Sequence, residues 1–273
     1  MEATPPSQEE RARRFAALHE DGCFLIPNPW DGGSARVLQA LGFEALATTS
    51  SGFAYTLGRG DGQVTLDELL EHVKVLVEAS DLPLSVDLEN GYSSLPEGAA
   101  RAIEAVATVG AVGGSIEDWE EAGIYEIGHA AERIAAAAAV AREQPFPFTL
   151  TARAENHIRG NPDLDDTIAR LRAYEEAGAD VLYAPGLADA EQIAAVTAAV
   201  GLPVNVLARP NLSVAEIAAA GARRISVGGS LAWATVEAMG DVARRMLEDG
   251  DLSGLRGGAQ VGEWLIDPGE ECT

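Results

Sequence analysis

Asp87 and Glu89, in Leu84-Ser-Val-Asp-Leu-Glu-Asn-Gly-Tyr92, and Glu117, in Gly114-Ser-Ile-Glu-Asp-Trp119, each close a short apolar run. Runs of that length read as neighbouring parallel strands. Alternate positions put Asp87 and Glu89 on one strand face, with Glu117 ending the adjacent strand. Carboxylates in such a place are costly to leave ionised and unpaired, whereas a hard cation takes their oxygens and keeps several waters. Any one of the three alone reads as a helix cap or loop acid. Together, with Asp118 beside Glu117, they predict a divalent-metal site of Asp87, Glu89 and Glu117, with Mg²⁺ the expected ion and Mn²⁺ the alternative. The chemistry expected there is metal-assisted and acts on a small anion.

Bulk properties narrow the field. A chain of 273 residues with 47% hydrophobic content can bury a large core, and single α/β barrels commonly reach about 250 residues. A formal net charge of -24 repels nucleic acid and anionic membranes, since polyanion binding begins with clustered Lys and Arg. An anionic substrate is still admissible, because a metal and one or two arginines invert the local field. No apolar stretch approaches the roughly 18 residues of a membrane span, and the start, Met1-Glu-Ala-Thr-Pro-Pro-Ser-Gln, lacks a signal peptide's basic and apolar regions. A cytoplasmic protein is expected. Cys23 and Cys272, the two cysteines, imply neither a disulfide framework nor a zinc site.

Eight apolar runs read as strands: Cys23–Pro27, Ala45–Thr49, Leu84–Leu88, Gly113–Ile116, Phe148–Ala152, Val181–Ala184, Val204–Leu207 and Arg224–Val227. Helical patterns lie between and after them, at about 33–42, 65–80, 96–109, 127–142, 163–178, 188–200, 213–221 and 229–249. Glycine stops the helices in Ala177-Gly-Ala-Asp180, Val200-Gly-Leu-Pro203 and Ala220-Gly-Ala-Arg223. The alternation predicts one (β/α)₈ TIM barrel over residues 1–273, with an extra N-terminal helix within 1–20 over its bottom and a loosely ordered or partner-docked tail over 250–273. Barrel strands end on one mouth, so the three carboxylates converge there.

These residues resemble the isocitrate lyase and phosphoenolpyruvate mutase superfamily. The likeness runs from Pro27-Asn-Pro-Trp-Asp-Gly-Gly-Ser-Ala-Arg36 to Ser226-Val-Gly-Gly-Ser230 and rests on Asp87-Leu-Glu-Asn-Gly-Tyr92, Ile116-Glu-Asp118 and Leu150-Thr-Ala-Arg-Ala-Glu155. It implies a Mg²⁺ enzyme that forms or consumes the enolate of a small 2-oxo acid. It assigns the oxyanion side to a strand-two loop, Thr49, Ser50, Ser51 and Gly52, and a mobile carboxylate over the site to Asp61 in Leu57-Gly-Arg-Gly-Asp-Gly62. Arg153, ending strand five, has the planar fork that grips a carboxylate or phosphonate, or else neutralises the acids. Glu155 would support the arginine or a metal water. His157 reads as an acid–base group or a surface histidine, and His72 and His129 as structural.

The chain departs from that pattern in two places. The Lys-[Lys/Arg]-Cys-Gly-His loop of the isocitrate and methylisocitrate lyases is replaced by Asp118-Trp-Glu-Glu-Ala-Gly-Ile-Tyr-Glu-Ile-Gly-His129, without cysteine. Their Phe-Pro-Glu becomes Tyr183-Ala-Pro-Gly186, and Arg209 ends strand seven as a further anion-binding candidate. The leading expectation is Mg²⁺-dependent C–C cleavage of a small 2-oxo or 2-hydroxy carboxylate. P–C mutase or hydrolase chemistry on a phosphonate is the second, and a catalytically silent 2-oxo acid-binding barrel the third. The resemblance also implies a homo-oligomer, a tetramer or dimer.

Overall fold

A computed structural model describes residues 5–265. Eight parallel strands build the barrel: β1 (Phe24–Ile26), β2 (Leu46–Ala47), β3 (Leu84–Asp87), β4 (Gly113–Glu117), β7 (Thr149–Arg153), β8 (Val181–Tyr183), β9 (Val204–Leu207) and β10 (Arg224–Ser226). They pair in the order β1-β10-β9-β8-β7-β4-β3-β2. The seam between β1 and β2 is joined by the Ala47 N–H donating to Pro27 O at 3.1 Å. All eight fall where the apolar runs place them.

The helices wrap the outside: α2 (Gly32–Ala40), α3 (Ser50–Thr56), α4 (Leu66–Ala79), α5 (Pro96–Thr108), α6 (Ile127–Glu143), α7 (Leu164–Glu176), α8 (Ala190–Ala199), α9 (Val214–Ala219) and α10 (Ser230–Asp249). Side-chain oxygens start many of them, as Thr65 does by accepting from Glu68 N while Glu68 returns to Thr65 N. α1 (Gln8–Ala17) lies under the barrel, with Phe15 packed against Phe24, Ala45 and Val112 at the strands' N-terminal ends. It matches the expected bottom helix.

Three elements differ from the sequence reading. The strand-two loop winds into α3, and a hairpin, β5 (Trp119–Glu120) with β6 (Gly123–Ile124), follows β4. The tail carries a further helix, α11 (Ala259–Leu265), which packs against α2, with Arg36 donating to Leu265 O at 3.1 Å. The tail is therefore docked on its own barrel as far as Leu265, and the rest of the predicted segment, Cys272 included, lies outside the described residues. No described helix is long and apolar enough to cross a membrane.

Strand residues alternate strictly. Leu84, Val86, Ile116, Leu150, Leu182, Val206 and Ile225 belong to the core between sheet and helices. Their neighbours Ser85, Asp87, Ser115, Arg153, Asn205 and Arg224 face inward and line a cavity. Parallel strands buried on both faces ordinarily read as continuous apolar runs; here much of the inner face toward the mouth is polar, so that part of the bore is available for chemistry.

Candidate active site

Two adjoining cavities occupy the mouth. The inner, of about 190 Å³, descends into the barrel; the outer, of about 680 Å³, opens above β3 and β4; Ser50, Asp61 and Arg153 line both. Asp87 closes β3 and Glu117 closes β4, two positions beyond Ser115, the register partner of Asp87. Glu89 reaches the mouth differently from the expected strand periodicity. β3 has ended, and Glu89 adopts φ 49°, a left-handed conformation uncommon for a residue with a Cβ. Its backbone is fixed by Glu117 N donating to Glu89 O at 2.9 Å and by Gly91 N donating to Leu88 O at 2.7 Å. Arg133 clamps the same turn from below. It is buried and donates to Glu117 O and Ser93 O, each at 3.0 Å, and to Asn90 O, so one guanidinium ties both carboxylate-bearing loops together.

The three carboxylates share the mouth with arginine. Arg153 Nη1 lies 3.3 Å from Glu117 Oε2 and 3.7 Å from Asp87 Oδ1. Among the described residues no three His, Cys, Asp or Glu side chains stand together as a ready-made cage. Arg153 thus stands between Asp87 and Glu117 at the mouth. Burial alone would lower its pKa, but Glu117 and Glu155 hold it well above the ordinary value, so it stays charged. Burial drives Glu117 well up, against the pull of Arg153. Glu89 is pushed up to about 7 by burial, with Asp87 and Asp61 adding to the effect. Its Oε1 is buried without a hydrogen-bond partner. A buried carboxylate oxygen with two acids beside it is what a hard cation would satisfy, and Mg²⁺ commonly binds through one or two carboxylates plus water and substrate oxygens. The donor set fits such an ion.

The strand-two turn faces these acids. Ser50 N donates to Asp87 Oδ2 at 3.3 Å, and the hydroxyls of Thr49 and Ser51 pair at 3.2 Å on the cavity wall. Gly52, expected with them, lines neither cavity. It is buried, and a Cβ there would stand 2.6 Å from Thr49 Cγ2 and 3.3 Å from Trp30 Cβ, so it serves close packing behind the turn. Asp61 sits exposed on the glycine-bordered loop before α4 and lines both cavities. Asp118 is turned away into structure, accepting from Glu155 N at 2.8 Å and Arg170 Nη1 at 3.0 Å. His157 pairs with Thr167 Oγ1 at 2.9 Å and lines neither cavity; His72 stacks on Phe53 at 3.8 Å; His129 faces Ser94 O at 2.8 Å. Arg209 donates to Gly186 O and is likewise outside both cavities.

At the floor lies a residue the sequence reading passed over. Arg224, buried, donates from Nε to Asn205 Oδ1 at 2.9 Å and from Nη2 to Thr151 Oγ1 at 3.0 Å, and its Nη1 lies 3.4 Å from His19 Nε2. No carboxylate pairs with it among the described residues. Burial lowers it to about 10, so it remains a cation beneath the acidic rim. The period-2 pattern Arg224-Ile-Ser226, like Thr151-Ala-Arg153, is the signal that could have placed it inside.

The family model described as phosphoenolpyruvate phosphomutase matches residues 15–247. The chain belongs to this family. A phosphomutase-family barrel with this mouth is a lyase/mutase-type enzyme. A Burkholderia cenocepacia J2315 protein, described as a candidate lyase/mutase, is 50% identical, with a TM-score of 0.92 over 96% of this chain and 97% of that one. Oxaloacetate decarboxylase of Paraburkholderia xenovorans LB400 is 30% identical over 256 residues, 90% of this chain and 81% of the relative. Oxaloacetate acetylhydrolase, solved with its product oxalate, is 26% identical, with a TM-score of 0.86 over 95% and 94%.

Proposed function

We propose that this phosphomutase-family enzyme cleaves a C–C bond in a small 2-oxo or 2-hydroxy carboxylate, forming or consuming an enolate, with Mg²⁺ as cofactor. The observation that carries this reading is the buried, unpartnered Glu89 Oε1, just past β3, beside Asp87 at that strand's end and Asp61 on the loop before α4. Asp87 and Glu89 would hold the ion, with Glu117 reaching it directly or through water. Bound there, it supplies Lewis-acid stabilisation of developing negative charge. Arg153 grips the substrate carboxylate with Nη donors while Glu155 fixes its Nε. The Thr49 and Ser51 hydroxyls present a donor at the opposite wall, where an oxyanion gains most from preorganised dipoles, while the Ser50 amide orients Asp87. Asp61 closes over the mouth on its loop, and the hairpin after β4 walls the outer cavity. The relatives named for oxaloacetate chemistry support the C–C over the P–C alternative.

The apolar residues that α10 leaves exposed, Trp233, Met239, Met246 and Leu247, support a homo-oligomer. Activity is tested by scanning oxaloacetate, malate derivatives, methylisocitrate and phosphonopyruvate with and without EDTA. Turnover of a C–C substrate that EDTA abolishes is expected. Metal-independent turnover, or turnover of phosphonopyruvate alone followed by ³¹P NMR, would overturn the proposal.

A further inference from the structure

Arg159 has more order than a rim arginine needs. Its Nε donates to Glu155 Oε2 at 3.0 Å, and its Cζ stands 3.4 Å from the centroid of the Trp119 ring. Glu155 is 0% exposed and divides its two oxygens between two arginines, Oε1 accepting from Arg153 Nε and Oε2 from Arg159 Nε. Both forks are thereby set side by side on the wall of the outer cavity. A guanidinium carries five N–H donors, and the next contact of Arg159, Nη2 to Glu117 Oε1 at 3.7 Å, is too long to be a hydrogen bond. The Nη groups are consequently left for a ligand. Arg153 and Arg159 are the two cations lining that cavity, against Asp61, Glu89, Glu117, Glu120 and Glu121. A second anionic group entering there is repelled unless Arg159 takes it. Trp119 opens the hairpin that stands where the lyases carry their cysteine loop, so the replacement segment supplies a platform for a guanidinium.

We propose that Arg159, held by Glu155 and Trp119, binds the second anionic group of the substrate, so that the enzyme selects small 2-oxo or 2-hydroxy dicarboxylates over monocarboxylates. This rests on the reading above, in which Arg153 takes the first carboxylate. L-malate and L-lactate, which differ by one carboxylate, are the probes, titrated calorimetrically in Mg²⁺ against wild type, Arg159→Met, Arg159→Lys and Trp119→Leu. Arg159→Met weakens malate by about 10- to 100-fold, the worth of a charge-assisted contact, and leaves lactate within about threefold. Lys, a point charge without the planar fork, restores malate only in part. Trp119→Leu, which keeps the charge but removes its platform, also weakens malate selectively. Equal weakening of both ligands, or no change in either with melting curves intact, overturns the assignment of Arg159 alone. Wild type that binds neither ligand in Mg²⁺ sinks the parent reading, and this one with it. Should Arg159→Met fail to fold, the Lys and Leu variants decide by the same malate-to-lactate ratio.

Discussion

Replacing Glu155 with Gln keeps the side chain's shape and exchanges one acceptor oxygen for an NH₂ group. Glu155 is fully buried and accepts from two arginines, so Gln satisfies one Nε–H and turns a donor toward the other. A hydrogen bond to a charged group contributes about 1.5–3 kcal/mol, and removing one partner of a buried ion pair costs about 3–5 kcal/mol. Half of the pairing survives and Arg159 is 34% exposed, which places the expected loss at about 2–4 kcal/mol. At about 2–4 °C per kcal/mol for a domain approaching this size, Tm falls by on the order of 4–16 °C. Urea denaturation at pH 7.5 gives ΔΔG directly. In an Arg159→Met background the amide nitrogen can face the vacated side, so the penalty shrinks by about 1–2 kcal/mol, the coupling read from the double-mutant cycle. A Glu155→Gln loss below about 1 kcal/mol, or strict additivity with Arg159→Met, would refute the picture of one acid organising two guanidinium groups.

Glu89→Gln tests the metal reading through stability. Because Glu89 is raised to about 7, its ionised form is a penalty that appears as pH rises from about 4.5 through 7; at pH 8 the Gln variant without metal is expected to be more stable by about 2 kcal/mol and to lack the Mg²⁺-induced rise in Tm that the proposal predicts for wild type. The buried His72, lowered to about 4 chiefly by burial, has the opposite sign: its contribution is complete above pH 6.5 and is lost as pH falls toward 4. Between pH 7.5 and 5, wild type should therefore lose about 2 kcal/mol more than His72→Phe in paired urea titrations. Gly91→Ala combines a φ of 73° with a Cβ 2.9 Å from Ala99 Cα; a destabilisation above about 2 kcal/mol, with weakened Mg²⁺ response because the Glu89 turn shifts, is expected from thermal melts with and without the ion.

The eight strands were legible because they are short apolar runs, most of them bounded by glycine or proline, and Asp87 and Glu117 because they close two of them. Three features were not. α3 is a seven-residue helix of Ser-Ser-Gly-Phe-Ala-Tyr-Thr, poor helix formers that read as a turn; it is held by the Thr49 cap and by burial of Phe53 and Ala54. The hairpin strands are two residues each, too short for any periodicity to register. Glu155 was expected beside Arg153, but nothing in the sequence singled out Arg159; only the fold brings it to the second oxygen of the buried Glu155 and onto Trp119. The mouth carboxylates were legible as residues but not in their arrangement, since Arg153 sits across from Glu117 at the same register, and a linear pattern does not show which acid an arginine will face.

The polar bore has a consequence for how such a protein can change. Barrels of this kind usually owe cohesion to tiers of branched side chains plugging the tube; here cohesion comes from the outer annulus, where Ile103 and Val106 of α5, Ala137 and Ala138 of α6, and Ile116 and Leu150 of the strands interlock. Above the Phe15, Phe24 and Ile26 cluster at the bottom, hydroxyls, an amide and two guanidiniums fill much of the middle instead. Mutations drifting through that middle would retune which molecule is accepted while leaving the scaffold standing, so one durable shell can host a succession of small-acid chemistries.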